Sequence, residues 1–282
     1  MKRINLCILL ILAGCSILNA QELASSKQKA REILTRYGEA TGLTKNKSIG
    51  SLLSLTETGI EPESKVKLPS GIEYLAGSSF KQTLDFEAPC QVRTKLDTTH
   101  SSLYKGVRSE NQQVDVNVLN GEAHYLNSAV YQDDKKLSAP FQYPTREEAI
   151  ANTKKTAFKE LFPIILDKFQ CMPMEFDFVG IAESKDTRAS IVETTSPDGV
   201  KYRMFFDEKT HLLLMMVETS GTNDNQKRER RYFYSDYKMM GGLLVASLIK
   251  TEKDGKLIET REIRALDLKP AFKPDLFKVS DK

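Results

Sequence analysis

Apolar residues recur along this 282-residue chain with two different periods, and the changes from one to the other mark out its elements. Val200, Tyr202, Met204 and Phe206 alternate with Lys201 and Arg203, the period of two expected of a strand with one buried face. Ser196-Pro197-Asp198-Gly199 precedes them as a tight turn. Further breaks fall at Asp207-Glu208-Lys209-Thr210, Gly241-Gly242 and Lys253-Asp254-Gly255. Between the breaks lie His211 to Thr219, Arg230 to Lys238, Leu243 to Lys250 and Leu257 to Leu266, all short and rich in Val, Ile, Leu, Tyr and Thr. The pattern predicts an antiparallel meander forming a curved sheet from about Phe176 to Val279.

An earlier meander is predicted over Ser51 to Gly59, Ser79 to Glu87, Gln91 to Thr98, Ser102 to Arg108 and Gln113 to Leu119. Phe80, Leu84 and Phe86 share one face of its second strand, and Asn120-Gly121 is its strongest hairpin signal. Two regions carry helical spacing instead. Ser25 to Thr41 places Ala30, Ile33, Leu34, Tyr37 and Thr41 on one stripe, opens with a Ser25-x-x-Gln28 capping box and stops at Gly42. Between the meanders, Thr145-x-x-Glu148 opens a helix over Arg146 to about Lys155. A second stripe follows through Phe158, Leu161, Phe162, Ile165, Leu166 and Phe169. Pro163 inside that stripe removes a backbone donor, so the sequence predicts a kink or two short helices there.

The first 20 residues read as an export signal. Lys2 and Arg3 precede an apolar run from Ile4 to Leu18, shorter than the roughly 20 residues a membrane-spanning helix needs. Leu12-Ala13-Gly14-Cys15 has the form of a bacterial lipobox, while Leu18-Asn19-Ala20 offers cleavage before Gln21. Two routes stay open: acylation at Cys15, tethering the chain to a membrane, or a cut after Ala20 that frees it. Both place the chain in the periplasm, with residues 21–282 as a single domain, since no Pro/Ser/Gly-rich linker interrupts them.

Charge and cysteine usage narrow the partners. Loss of Lys2 and Arg3 brings the net charge from +3 to about +1, and nucleic acid, which needs a basic surface, is not expected. The dense run Lys227-Arg228-Glu229-Arg230-Arg231 reads first as the solvated end of a strand, with contact to anionic lipid headgroups or a partner as the second reading. Beyond the signal there are only Cys90 and Cys171, an even pair in an oxidising compartment. They are either disulfide-bonded, worth roughly 4–5 kcal/mol by loop closure, or two buried thiols.

Catalytic chemistry finds little support. His100, His124 and His211 are scattered, no nucleophile elbow, phosphate loop or zinc spacing occurs, and neither metal nor cofactor is expected. His124 reads as a strand-surface residue. Glu147-Glu148 suits a helix start and Asp133-Asp134 a polar turn.

The order of elements resembles a known family. An amphipathic helix after an export signal, a meander, a helical insertion and a second meander are similar to the LolA-like superfamily of periplasmic lipid and lipoprotein carriers. The likeness is carried by Ala30 to Tyr37 with Thr41-Gly42, Asn120-Gly121-Glu122, Ser196 to Gly199 with Phe205-Phe206-Asp207, Tyr234 to Tyr237 with Gly241-Gly242, and Asp275-Leu276-Phe277. Sorting carriers set a basic residue before a proline on an early strand. Here that pair is Ala88-Pro89, with Arg93 the nearest base. The resemblance implies an α+β fold, an incomplete antiparallel β-barrel whose concave face is covered by helices, with a lipid or lipidated protein as ligand.

Cavity candidates on this reading are Phe80, Leu84, Phe86, Phe158, Phe162, Ile165, Leu166, Tyr202, Met204, Phe206, Leu214 and Met216. Leu212 to Val217 and Leu243 to Ile249, apart from Ser247, are apolar on both faces, so both faces must be covered. The adaptable residues Met204, Met215, Met216, Met239 and Met240 cluster in this half. Most such positions are plain core; an unfilled lining is the sharper reading. Two functions follow: a carrier enclosing acyl chains, or a non-enzymatic module docking an envelope protein on the same sheet.

Overall fold

A computed structural model describes residues 24–45, 52–121, 123–132, 135–138, 145–166, 169–221 and 228–279. The expected signal, with Cys15 and the cleavage point before Gln21, lies outside the described residues, as do Asp133-Asp134 and Lys227. Helix α1 spans residues 24–41. Strands β1 (Leu52–Lys67), β2 (Glu73–Glu87), β3 (Gln91–Tyr104), β4 (Val107–Asn120), β5 (Ala123–Gln132) and β6 (Lys135–Ser138) follow, then helix α2 (Arg146–Ile165). The chain continues through β7 (Asp177–Glu183), β8 (Arg188–Thr195), β9 (Lys201–Asp207), β10 (Leu213–Ser220), β11 (Arg228–Met240), β12 (Leu243–Lys253) and β13 (Lys256–Asp267).

All thirteen strands form one curved antiparallel sheet in the order β6-β5-β4-β3-β2-β1-β13-β12-β11-β10-β9-β8-β7. The two meanders are therefore halves of a single sheet, joined where β1 pairs with β13 from Ser54 opposite Asp267 to Ile60 opposite Thr260. The sheet does not close, because β6 and β7 are its outer strands.

The turn chemistry explains the connections. Gly241 and Gly242 both take positive φ, the mirror-image turn that matches strand twist, and so do Asp254 and Gly255. The same geometry at Lys105 and Gly106 corrects one expectation: Ser102 to Arg108 is not a strand of its own but the tip of the β3–β4 hairpin. β1 also runs past Gly59 to Lys67. The register slips between Glu61 and Ser64, beside Pro62, which has no N–H to donate.

α2 departs from the expected break. Thr145 caps it, its Oγ1 accepting from the Glu148 N–H at 3.1 Å, and the helix then runs unbroken through Pro163. Ile165 is its last residue, and Leu166, at φ 44°, turns the chain while its N–H bonds the Phe162 carbonyl. Lying so near the end, Pro163 costs one hydrogen bond and divides nothing. Phe169 consequently belongs to the segment after the helix. α1 already includes Ala24, so Ser25 sits within the helix instead of capping it.

The core lies between the helices and one face of the sheet. Leu53 and Leu55 on β1 pair with Phe86 and Leu84 on β2, and all four are buried. On the other half, Val192, Met204, Met216 and Tyr232 stand in cross-strand register and are also buried. Tyr37 of α1 meets Phe206 edge-on at 5.3 Å between centroids, and Phe158 of α2 meets Tyr202 at 4.9 Å. Ser247, the polar interruption of β12, is fully buried and satisfied, its hydroxyl donating to the Asp236 carbonyl at 2.6 Å. Cys90, in the β2–β3 turn, is disulfide-bonded to Cys171, 81 positions later, with Cα atoms 4.7 Å apart.

Candidate functional site

Where α1, the C-terminal half of α2 and residues 169–176 meet, their apolar side chains line a cavity of about 900 Å³ that is open to solvent on one side. α1 contributes Leu34 and Gly38, with Leu43 just beyond it. α2 contributes Phe158, Phe162 and Ile165, spaced on one side of the helix, followed by Leu166. Phe169, Met172, Met174 and Phe176 close the remaining side, while Arg31, Thr35 and Gln170 bring polar atoms to it.

Local contacts hold these walls in place. Phe162 stacks on Phe176 at 5.2 Å and packs against Phe158 at 4.9 Å; Phe158 in turn meets Phe169 edge-on at 5.8 Å. The Tyr37 hydroxyl donates to the Pro163 carbonyl at 2.5 Å, tying α1 to α2. Gly38 lets the helices approach: a Cβ there would stand 3.3 Å from Thr44 and 3.4 Å from Leu166. The Cys90–Cys171 bond fastens the 169–176 segment to the β2–β3 turn, so one wall is covalently linked to the sheet.

The sequence candidates divide between cavity and filled core. Phe158, Phe162, Ile165 and Leu166 line the cavity together. Leu84, Phe86, Tyr202, Met204, Phe206 and Met216 are at most 2 % exposed and belong to the packed core beneath it, away from the lining. Leu214 is half-buried and Phe80 covers Gly59, where a Cβ would fall 2.1 Å from its ring. Met239 is 67 % exposed, so the methionine cluster is not a single lining. Lining residues that were not among the cavity candidates of the sequence include Leu34, Leu43, Phe169, Met172, Met174 and Phe176. For Leu34 and Phe169 the helical stripes were the available signal; Met172 to Phe176 carry no periodicity.

Charged residues collect elsewhere on the same face. Arg261 of β13, 5 % exposed, bonds Glu57 of β1 at 3.2 Å and Glu160 of α2, and Glu259 lies 2.7 Å from its Nε. Burial, with the neighbouring Glu160 charge, pushes the Glu57 carboxyl up to about 8, against the pull of Arg261. Lys159 pairs with Glu218 at 3.3 Å, and the Tyr232 hydroxyl donates to the same carboxylate at 2.7 Å. His124 is not a solvent-facing strand residue: it lies 3.2 Å from Thr153 of α2, and burial followed by the Arg146 charge lowers its pKa. Among the described residues no group of three or more His, Cys, Asp or Glu is arranged to hold a metal ion, and no helix is long and apolar enough to cross a membrane.

No family model and no curated protein matches the sequence. Solved structures do. A LolA superfamily protein, NE2245 from Nitrosomonas europaea, superposes with a TM-score of 0.49 at 9% identity, covering 88% of this chain and 97% of its own. A DUF1329 family protein from Desulfovibrio piger gives 0.44 at 11% identity, covering 87% and 97%, and a DUF1849 β-barrel-like protein from Brucella abortus 0.34 at 10%, covering 78% and 98%.

Proposed function

We propose that this chain is an envelope carrier that holds acyl chains, of a lipid or a lipidated protein, in the apolar cavity between α1, α2 and the 169–176 segment. The observation that carries this reading is the cavity itself. Its volume of about 900 Å³ falls in the range of small-molecule sites, roughly 300–1,000 Å³, and aromatic, aliphatic and methionine side chains make up most of its walls. A domain folding only for stability gains by filling such a space, since each unfilled volume forfeits packing. Met172 and Met174 suit chains of varied shape because the thioether side chain has three soft torsions. On this reading the helices cover the concave face of the half-barrel, the protein works in the periplasm, and it binds without catalysis.

The test is direct. Organic extracts of the purified protein should contain lipid by mass spectrometry, and a fluorescent long-chain fatty acid should bind and be displaced by unlabelled chains. Leu34→Trp, which fills the cavity from α1, should weaken that binding by about tenfold, an effect of about 1.4 kcal/mol. Absence of lipid together with unchanged binding in the variant would refute the carrier.

One observation favours the alternative, a module that docks an envelope protein. Leu68, Ile72, Tyr104 and Val107, each at least 40 % exposed, stand at the tips of the β1–β2 and β3–β4 hairpins, whose strands β2 and β3 are paired. Replacing Ile72 and Val107 by Ser should leave acyl binding intact and abolish only such docking, measured by co-purification of an envelope partner.

A further inference from the structure

The walls of the apolar cavity change character from depth to mouth. Phe158, Ile165 and Phe169 are buried, whereas the polar lining residues Arg31, Thr35, Thr44 and Gln170 are all exposed and stand at the open side. α1 sets much of this gradient. Leu34 and Gly38, four residues apart, form the row that is drawn inward, and Arg31 and Thr35, the neighbouring row at the same spacing, run along the rim. Among the described residues Arg31 is the one ionisable group of the lining, and no carboxylate lines the cavity with it.

The charges nearby on α1 and on the 169–176 segment are already engaged. Lys27, one turn before Arg31, bonds Glu175, and that hydrogen bond first, with the Lys27 and Arg31 charges after it, holds the Glu175 carboxyl low. Glu32 accepts from Gln28 at 3.1 Å, and Lys29 stands 3.8 Å over the Phe178 ring. The Arg31 guanidinium bonds none of these groups among the described residues. Its planar fork of N–H donors matches the paired oxygens of a carboxylate or a phosphate. An ion pair between two mobile surface chains gains little, because both must be ordered in water. At the mouth of this cavity an apolar tail lying inside has already fixed the anion in place.

We propose, on the basis of the carrier reading, that the cavity selects acyl chains bearing an anionic headgroup, which Arg31 binds at the mouth while the chain occupies the apolar interior. This narrows the ligand. A lipidated cysteine holds its acyl chains as uncharged esters and an amide and gives Arg31 no anion, whereas a free fatty acid offers a carboxylate and a lysophospholipid a phosphate.

Isothermal titration calorimetry on the purified protein, freed of endogenous lipid, tests the headgroup with the chain length held constant. The probes are dodecanoate, lauroyl lysophosphatidylglycerol, dodecanol and dodecyltrimethylammonium. The tighter of the two anions should bind at least about tenfold more tightly than dodecanol, and the ammonium no better than dodecanol. Whichever anion binds more tightly names the source, free acid or phospholipid. Arg31→Gln should erase the difference between the anions and dodecanol, and Arg31→Glu should reverse the order of dodecanoate and the ammonium. Leu34→Trp, by contrast, should weaken every member of the set. Arg31 is exposed, and thermal unfolding verifies that both of its variants are folded. Dodecanol binding as tightly as both anions, or an anion preference that survives Arg31→Gln, would overturn the proposal and leave the carrier reading standing. Binding of no amphiphile at all would refute the carrier reading and this selectivity with it.

Discussion

Single positions on β1 show how tightly side-chain identity and burial are linked. Gly59 sits opposite Phe80, whose ring occupies the place a side chain would take. Gly59→Ala should therefore displace that ring and cost about 1–3 kcal/mol in urea unfolding, with Phe80→Leu partly restoring stability. Two residues earlier, Glu57 makes stability depend on pH. The unfolded chain releases this proton at about 4.5 and the folded chain at about 8, so between those values only the folded state holds it. Stability contributed by this group is thus complete below the unfolded value and lost as pH rises through the folded one. Glu57→Gln should flatten the fall in urea midpoint across that window, and an unchanged slope would assign the fall to other groups.

At the scale of elements, α2 does most to shape the site. Its cap was legible because Thr145 and Glu148 have the spacing of a capping box, and Thr145→Ala should cost about 0.5–2 kcal/mol in unfolding by denaturant. Its continuity through Pro163 was not legible, because a proline's effect depends on how many turns follow it, and here the helix ends two residues later. Phe162 tests the packing of the same helix. It touches Phe158 and Phe176 but borders the cavity on another side, so Phe162→Ala should cost less than the roughly 3–5 kcal/mol of a fully packed phenylalanine. A loss at the top of that range would mean that the cavity collapses around the ring. The hairpins behave differently: the turns at Gly121, Gly241-Gly242 and Asp254-Gly255 were readable because positive φ favours those residue types.

For the whole molecule, the disulfide and the union of the two meanders link distant parts of the chain. Denatured, unreduced protein should show neither Cys90 nor Cys171 as a free thiol, and Cys90→Ser with Cys171→Ser should lower stability by about 2–5 kcal/mol and loosen acyl binding, since one cavity wall hangs from that bond. The sequence by itself determined most of the strands and turns, the positions of the two helices and their apolar stripes, because these depend on periodicity and local backbone preference within a few residues; β5 to β8 had no range in it. It also marked Phe158, Phe162, Ile165 and Leu166, which share a stripe and a cavity. Only the tertiary structure decided that β1 and β13 join the meanders into one sheet, and that Leu84, Phe86, Tyr202 and Met204 fill the core while Met172 to Phe176 close the cavity. An alternating strand says which residues face inward, but whether an inward residue meets another side chain or open space depends on what a segment a hundred residues away places above it. The clustering of Glu57, Glu160 and Glu259 around Arg261 has the same origin, for no local pattern brings two strands and a helix to one guanidinium.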